Sequence, residues 1–179
     1  MNNIIITGER RNRICCQLLN EIRSNIKCDI GGYFVNVTND ENNENVRIFR
    51  LTSLYDHDSD NIFFIKDDST GISKLNIEVF NKKGVEILKK SYENRNVIVM
   101  DEIGFLESKA YDFTKQVIKA LDSEKVVIAL VKGVSCKYID SIKERDDVNT
   151  FFVDEKNMKG IKRNIFDLLI KWNVELKKY

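Results

Sequence analysis

The chain has 179 residues, 42% of them hydrophobic and 32% charged, and 29 Lys and Arg against 28 Asp and Glu leave a formal net charge of +1. That length predicts a single domain over residues 1–179 with room for a sizeable core, and that composition excludes a disordered chain. The near-neutral balance argues against a nucleic-acid binder, and no apolar run approaches the roughly 20 residues of a membrane helix, so a cytoplasmic protein off the membrane is expected.

The chain enters its first apolar run at once, Asn3-Ile4-Ile5-Ile6-Thr7, with no basic leader before it. Ile14, Leu18, Leu19, Ile22 and Ile26 then recur at helical spacing. Tyr33 to Thr38 and Val46 to Leu51 read as two strands joined by the polar turn Asn39 to Asn45, an antiparallel hairpin, and Asn61 to Ile65 adds a further edge strand. Between them, the acidic turn Asp56 to Asp60 holds the single histidine, His57, at the surface. Asn76 to Lys90 is predicted helical, with a break or kink at Gly84.

Val97 to Met100 is a fully apolar strand that ends in Asp101-Glu102. Ser108 reads as the N-cap of a helix that carries Ala110, Phe113, Val117 and Leu121 on one face. Val126 to Val131 is a second buried strand, Cys136 to Glu144 a helix, and Asn149 to Val153 a strand. A closing helix buries Ile161, Ile165, Leu168, Leu169, Trp172 and Leu176. Alternating apolar runs and amphipathic stretches predict an α/β sheet with helices on its faces. Cys15, Cys16, Cys28 and Cys136 show no C-x-x-C spacing and are expected as reduced, mostly buried thiols rather than metal ligands.

The strand ending in Asp101-Glu102 reads as a Walker B strand, in which an apolar run delivers a carboxylate to hold Mg²⁺ and a second acid to orient the attacking water. Its partner is a phosphate loop after the first strand, G-x-x-x-x-G-K-[ST], whose backbone N–H groups and Lys wrap the phosphates. Here that position reads Gly8-Glu9-Arg10-Arg11-Asn12-Arg13-Ile14-Cys15. Gly8 is kept, while Arg13, Ile14 and Cys15 stand where Gly, Lys and Ser or Thr are needed. Ile14 carries no charge, and a soft thiol at Cys15 suits Mg²⁺ poorly. None of the eight glycines is followed by Lys-Ser or Lys-Thr, so the chain offers no second phosphate loop. Arg10, Arg11 and Arg13 admit two readings. They are solvated cations on a decayed loop, or guanidinium forks that hold a phosphate-bearing anion.

Asp101-Glu102-Ile103-Gly104-Phe105-Leu106-Glu107 matches a D-E-I-G-x-M-E motif with Leu for Met, and Phe113 through Val117 to Ala120-Leu121-Asp122-Ser123 matches F-x-x-x-[VI]-x-x-A-L-D-S. Gly32-Tyr33 and the hairpin with Arg47 fit a G-F-x-T strand and its returning R-x-G-F strand, without the Thr and the returning Gly. On these residues, in order over most of its length, the chain resembles the small P-loop nucleoside-triphosphatases of the thermophile and cancer-related type. The resemblance implies a RecA-like P-loop fold, a three-layer sandwich on a mostly parallel sheet with an inserted antiparallel hairpin.

It also implies hydrolysis of nucleoside triphosphates with Mg²⁺, with Asp101 as the metal ligand, Glu102 as the catalytic base and Gly8 as the phosphate-loop glycine. The departures at Arg13, Ile14 and Cys15 set the leading expectation, a degenerate member with little or no hydrolysis and a binding or regulatory role, open to a protein partner. The alternative is a weak Mg²⁺-dependent nucleoside-triphosphatase, less readily a nucleotide kinase, in which arginines replace the lysine. Nucleic-acid binding through the arginines ranks last, because no aromatic residues interleave them.

Overall fold

A computed structural model describes residues 2–9 and 13–177. The chain runs β1 (Asn2–Thr7), α1 (Arg13–Asn25), β2 (Ile30–Asn39), β3 (Val46–Ser53), β4 (Asn61–Asp67) and β5 (Ser73–Leu75). A π turn (Phe80–Gly84) leads into α2 (Val85–Asn94), and β6 (Val97–Ile103), a 3-10 turn (Glu107–Lys109), α3 (Tyr111–Leu121), β7 (Val126–Val131), α4 (Lys137–Lys143), β8 (Val148–Phe152) and α5 (Met158–Lys171) follow. The kink expected at Gly84 is thus the end of a π turn at the head of α2.

Eight strands form one sheet in the order β5-β4-β3-β2-β6-β7-β1-β8. From β2 to β8 the pairings are parallel, and from β2 to β5 antiparallel. β2 therefore belongs to both halves: Tyr33 pairs with Met100 of β6 on one edge and with Ser53 of β3 on the other. The expected hairpin is continuous with the parallel sheet rather than appended to it, and β5, not the Asn61 strand, forms its outer edge.

Strand alternation sorts the core onto two faces. Ile4, Ile6, Val97, Val99, Ile128 and Leu130 pack with Leu18, Leu19 and Ile22 of α1 and with Ile165, Phe166 and Leu169 of α5. Ile5, Ile98, Met100, Val127 and Ala129 face the opposite way, onto Ile87 and Leu88 of α2, Phe113 and Val117 of α3 and Ile139 and Ile142 of α4. The result is a three-layer α/β sandwich. β1 and β6, the strands ahead of the two sequence motifs, are separated in the sheet by β7 alone.

Three local expectations are corrected. Ser108 does not cap α3: it lies in the 3-10 turn and donates to the Phe105 carbonyl at 2.6 Å, and Ala110 precedes the helix with no side-chain cap. The turn takes up Ser108, the residue in which the cap was expected. Cys15 alone of the four thiols is buried, while Cys16 and Cys136 are half-buried and Cys28 is exposed. Trp172 and Leu176 lie beyond the end of α5, and Leu176 instead bridges to Ile26 after α1.

Candidate functional site

In a parallel sheet, the carboxyl ends of neighbouring strands open onto one edge, where ligands of α/β proteins collect. At this edge the ends of β6, β7 and β1 stand side by side. Val97 and Val99 face α1 and α5, so the two-residue period turns Asp101 toward α1 as well. The ladder between β6 and β7 shifts register between Asp101 and Ile103, and the Lys132 N–H donates to the Ile103 carbonyl at 2.9 Å. That bond brings the exit of β7 against the exit of β6.

Three charged groups meet there. The Lys132 ammonium forms an ion pair with Glu102. The side chain of Lys132 passes over Gly104, where an added Cβ would stand 2.8 Å from its Cδ and 3.0 Å from Oε2 of Glu107. Glu107, only 2% exposed, accepts the Gly104 N–H at 2.9 Å. Gly104 is therefore favoured by close approach: a side chain there would displace the lysine stem and crowd the buried carboxyl. Beneath them, the hydroxyls of Tyr33 and Tyr138 are buried with no hydrogen-bond partner among the described residues, and both phenols are held well above their ordinary range by burial, with Glu107 adding to the effect.

Burial dominates the acids too. Asp101 is pushed up to about 6 by burial first and then by Glu102, against the pull of Arg23 and Lys132. Glu107 is pushed up to about 7 by burial, opposed by its own backbone N–H, Lys132 and the Gly104 N–H. Burial works against the charge of Lys132, but Glu102, Glu107 and Asp101 outweigh it and raise its pKa. Among the described residues no hydrogen bond or ion pair meets the carboxylate of Asp101, although Arg23 acts on it at longer range. A hard oxygen donor that no cation contacts among the described residues fits a magnesium ion held largely through water.

The other bank is α1. Gly8 is buried at the end of β1, and its carbonyl oxygen lies 2.1 Å from where a Cβ on Gly133 would stand, so the exit loop of β7 touches the loop after β1. Arg10 and Arg11 lie outside the described residues. Arg13 is the exposed first residue of α1 and lines an open groove with Cys16, Gln17, Asn20 and Arg23. Ile14 packs partly against the α1–α5 core and Cys15 is buried in it. The thiols of Cys15 and Cys16 are both pushed up to about 11 by burial, with Glu102 adding to the first and Asp101 and Glu102 to the second. The start of α1 and the acids of β6 thus share one electrostatic site, but a buried neutral thiol does not fit the place of a magnesium-binding hydroxyl.

Gly8 follows β1 and Asp101 and Glu102 end β6, the two strands that flank β7, and Arg13 begins α1. Sequence reasoning assigned no role to Lys132 or Glu107. Glu107 lay inside the quoted motif as one acid among several, and nothing local announced that it would be buried. The signal for Lys132 was a cation directly after a six-residue apolar strand, the same pattern that singled out Asp101.

Among the described residues no helix is long and apolar enough to cross a membrane, and no cluster of His, Cys, Asp and Glu has the makings of a metal site of its own. A family model described as NTPase matches residues 3–166. The nucleoside-triphosphatase THEP1 of Thermotoga maritima is 35% identical over 95 residues, which are 53% of this chain and 55% of that protein. Its namesake in Methanothermobacter thermautotrophicus is 32% identical over 95 residues, 53% of each chain. The chain therefore spans about half the length of the curated relatives it matches. In three dimensions, THEP1 from Aquifex aeolicus superposes with a TM-score of 0.72 at 20% identity, over 94% of this chain and 99% of that one. A human cancer-related nucleoside triphosphatase does so with a TM-score of 0.70 at 15% identity, over 96% and 98%. These two likenesses show a shared P-loop NTPase fold. With its β6 motif, its sheet order and nearly its whole length matched by the family model, the chain belongs to the NTPase family.

Proposed function

We propose that this protein binds a nucleoside triphosphate with Mg²⁺ at the carboxyl edge of β1, β7 and β6, and turns it over slowly or not at all. The observation that carries this reading is the contrast across the edge. Asp101 keeps a half-buried carboxylate that no hydrogen bond or ion pair meets among the described residues, while Ile14, at the place of the phosphate-loop lysine, packs partly against the core. The first is an unmet electrostatic demand that a cation would answer. The second removes a contact on which phosphoryl transfer ordinarily depends, which makes the loop a degenerate Walker A motif and the end of β6 a working Walker B.

In this reading Asp101 holds the magnesium ion, which when bound neutralises charge on the phosphate oxygens. Gly8 lines the phosphate path, and Arg13 offers a guanidinium group to the anion from the start of α1. Glu102 is the base that would take a proton from water, and its carboxylate is paired with Lys132. A base tied in an ion pair is a poor acceptor, so turnover requires that the pair with Lys132 open first. A weak nucleoside-triphosphatase is the second reading, and the retention of both Asp101 and Glu102 favours it.

Thermal unfolding with ATP and GTP, each with and without Mg²⁺, tests the proposal. A ligand at 100 times its dissociation constant adds about 2.7 kcal/mol of stability. The expected result is a Mg²⁺-dependent rise in Tm that Asp101→Asn abolishes, although that variant, freed of a buried charge, melts higher than the parent without nucleotide. No rise with either nucleotide would overturn the proposal. Phosphate release that Glu102→Gln abolishes would decide for the weak enzyme.

A further inference from the structure

The phosphate loop of this chain has no lysine, yet a lysine stands at the site from another strand. β7 lies between β1 and β6, so whatever side chain follows it projects between the loop after β1 and the acids after β6. That side chain is Lys132. Its neighbour Gly133 presses on the Gly8 carbonyl, where a Cβ would stand 2.1 Å from the oxygen, and its own stem packs over Gly104. Its ammonium is paired with Glu102, and its side chain remains 43% exposed, open to the edge where a ligand would enter.

Resting on the nucleotide-binding reading above, we propose that Lys132 is the phosphate-binding cation of this site. It supplies from the end of β7 the positive charge that Ile14 cannot supply from the start of α1. The charge is placed between Gly8, which marks the phosphate path, and Glu102, which marks the acid bank. Without ligand, Glu102 is its partner. A triphosphate brings several negative oxygens and displaces one carboxylate from a flexible ammonium, which needs only to swing on its four-carbon stem. The exchange has a second consequence. Once Lys132 turns to phosphate, Glu102 loses its counter-ion and becomes free to accept a hydrogen bond from water. Binding of the anion and release of the acid are then one event, and the lysine sets both.

The ordinary alternative is that Lys132 and Glu102 form an ion pair that only fixes the turn after β6. The two roles separate by phosphate count and by genetic background. Calorimetric titration of the protein with ATP, ADP and AMP in Mg²⁺ is compared for the parent, Lys132→Met and Lys132→Arg. The expected result is a loss of at least tenfold in ATP affinity for Lys132→Met, shrinking from ATP to ADP to AMP, with Lys132→Arg within about threefold of the parent. The same loss is expected when Lys132→Met is placed in a Glu102→Gln background, because the contact is to phosphate and not through Glu102.

A parent that binds ATP while Lys132→Met binds it equally well overturns this inference and leaves the nucleotide reading intact. A loss that disappears in the Glu102→Gln background also overturns it, since the lysine would then act only by positioning the acid. A parent that binds none of the three nucleotides overturns both. Should Lys132→Met unfold, Lys132→Gln, which keeps most of the stem and removes the charge, takes its place against the same outcomes.

Discussion

On the α1 bank of the site, Ile14 and Cys15 pack with Leu18, Leu19 and Ile22, so each adds apolar surface to the core. On the β6 bank, Asp101 and Glu107 are carboxyl groups whose burial opposes their charge and pushes them up to about 6 and 7. The first bank has exchanged chemistry for packing, and the second holds chemistry at a cost to stability. Burying a charge is unfavourable unless it is paired, so groups kept in that state point to a ligand that completes them. The difference teaches that an isoleucine at the start of α1 costs the fold nothing, because its side chain adds to the core.

The comparison is broken most directly by titration. Glu107 sits above its ordinary value of 4.5, so the folded protein holds a proton that the unfolded chain releases between pH 4.5 and about 7. Stability therefore falls as pH rises through that window, and Asp101 acts in the same sense between 3.8 and about 6. For Glu107 the shift corresponds to about 3 kcal/mol. Urea unfolding at pH 4.5 and 7.5 should show that Glu107→Gln, which keeps an acceptor for the Gly104 N–H, loses part of this fall. An identical pH dependence in variant and parent would mean that the β6 bank bears no such cost.

Packing on the same bank gives the next effect. A methyl group at Gly104 would meet Cδ of Lys132 at 2.8 Å and Oε2 of Glu107 at 3.0 Å. Gly104→Ala should destabilise the protein by about 2 kcal/mol and loosen the pair between Lys132 and Glu102. A neutral result in urea titration would show that the lysine stem yields freely. On the opposite bank, restoring Gly, Lys and Thr at positions 13, 14 and 15 should raise ATP affinity about tenfold, or about 1.4 kcal/mol. Its signature is a gain in binding with a loss in ligand-free stability, because a charged side chain replaces one packed against the core. Unchanged affinity would place the defect beyond those three residues.

Much of this arrangement was readable along the chain. Alternating apolar runs located β1, β6 and β7, and the acids after Met100 located one bank of the site, because strand burial and strand ends are local properties. The replacements at Arg13, Ile14 and Cys15 were equally plain. The cap proposed at Ser108 failed because a hydroxyl at a helix start can serve a preceding turn as well as the helix, and only the path of the chain decides. Burial of Glu107 could not be foreseen either, since a lone acid on a turn is ordinarily solvated.

By itself, then, the sequence determined the α/β class, the acid pair and the missing lysine, all of which depend on residues close together in the chain. Only the tertiary structure decided that β7 lies between the two motifs and that Lys132 meets Glu102 from 30 residues away. Strand order is set by which faces bury against which helices across the whole molecule, and no local pattern carries that information.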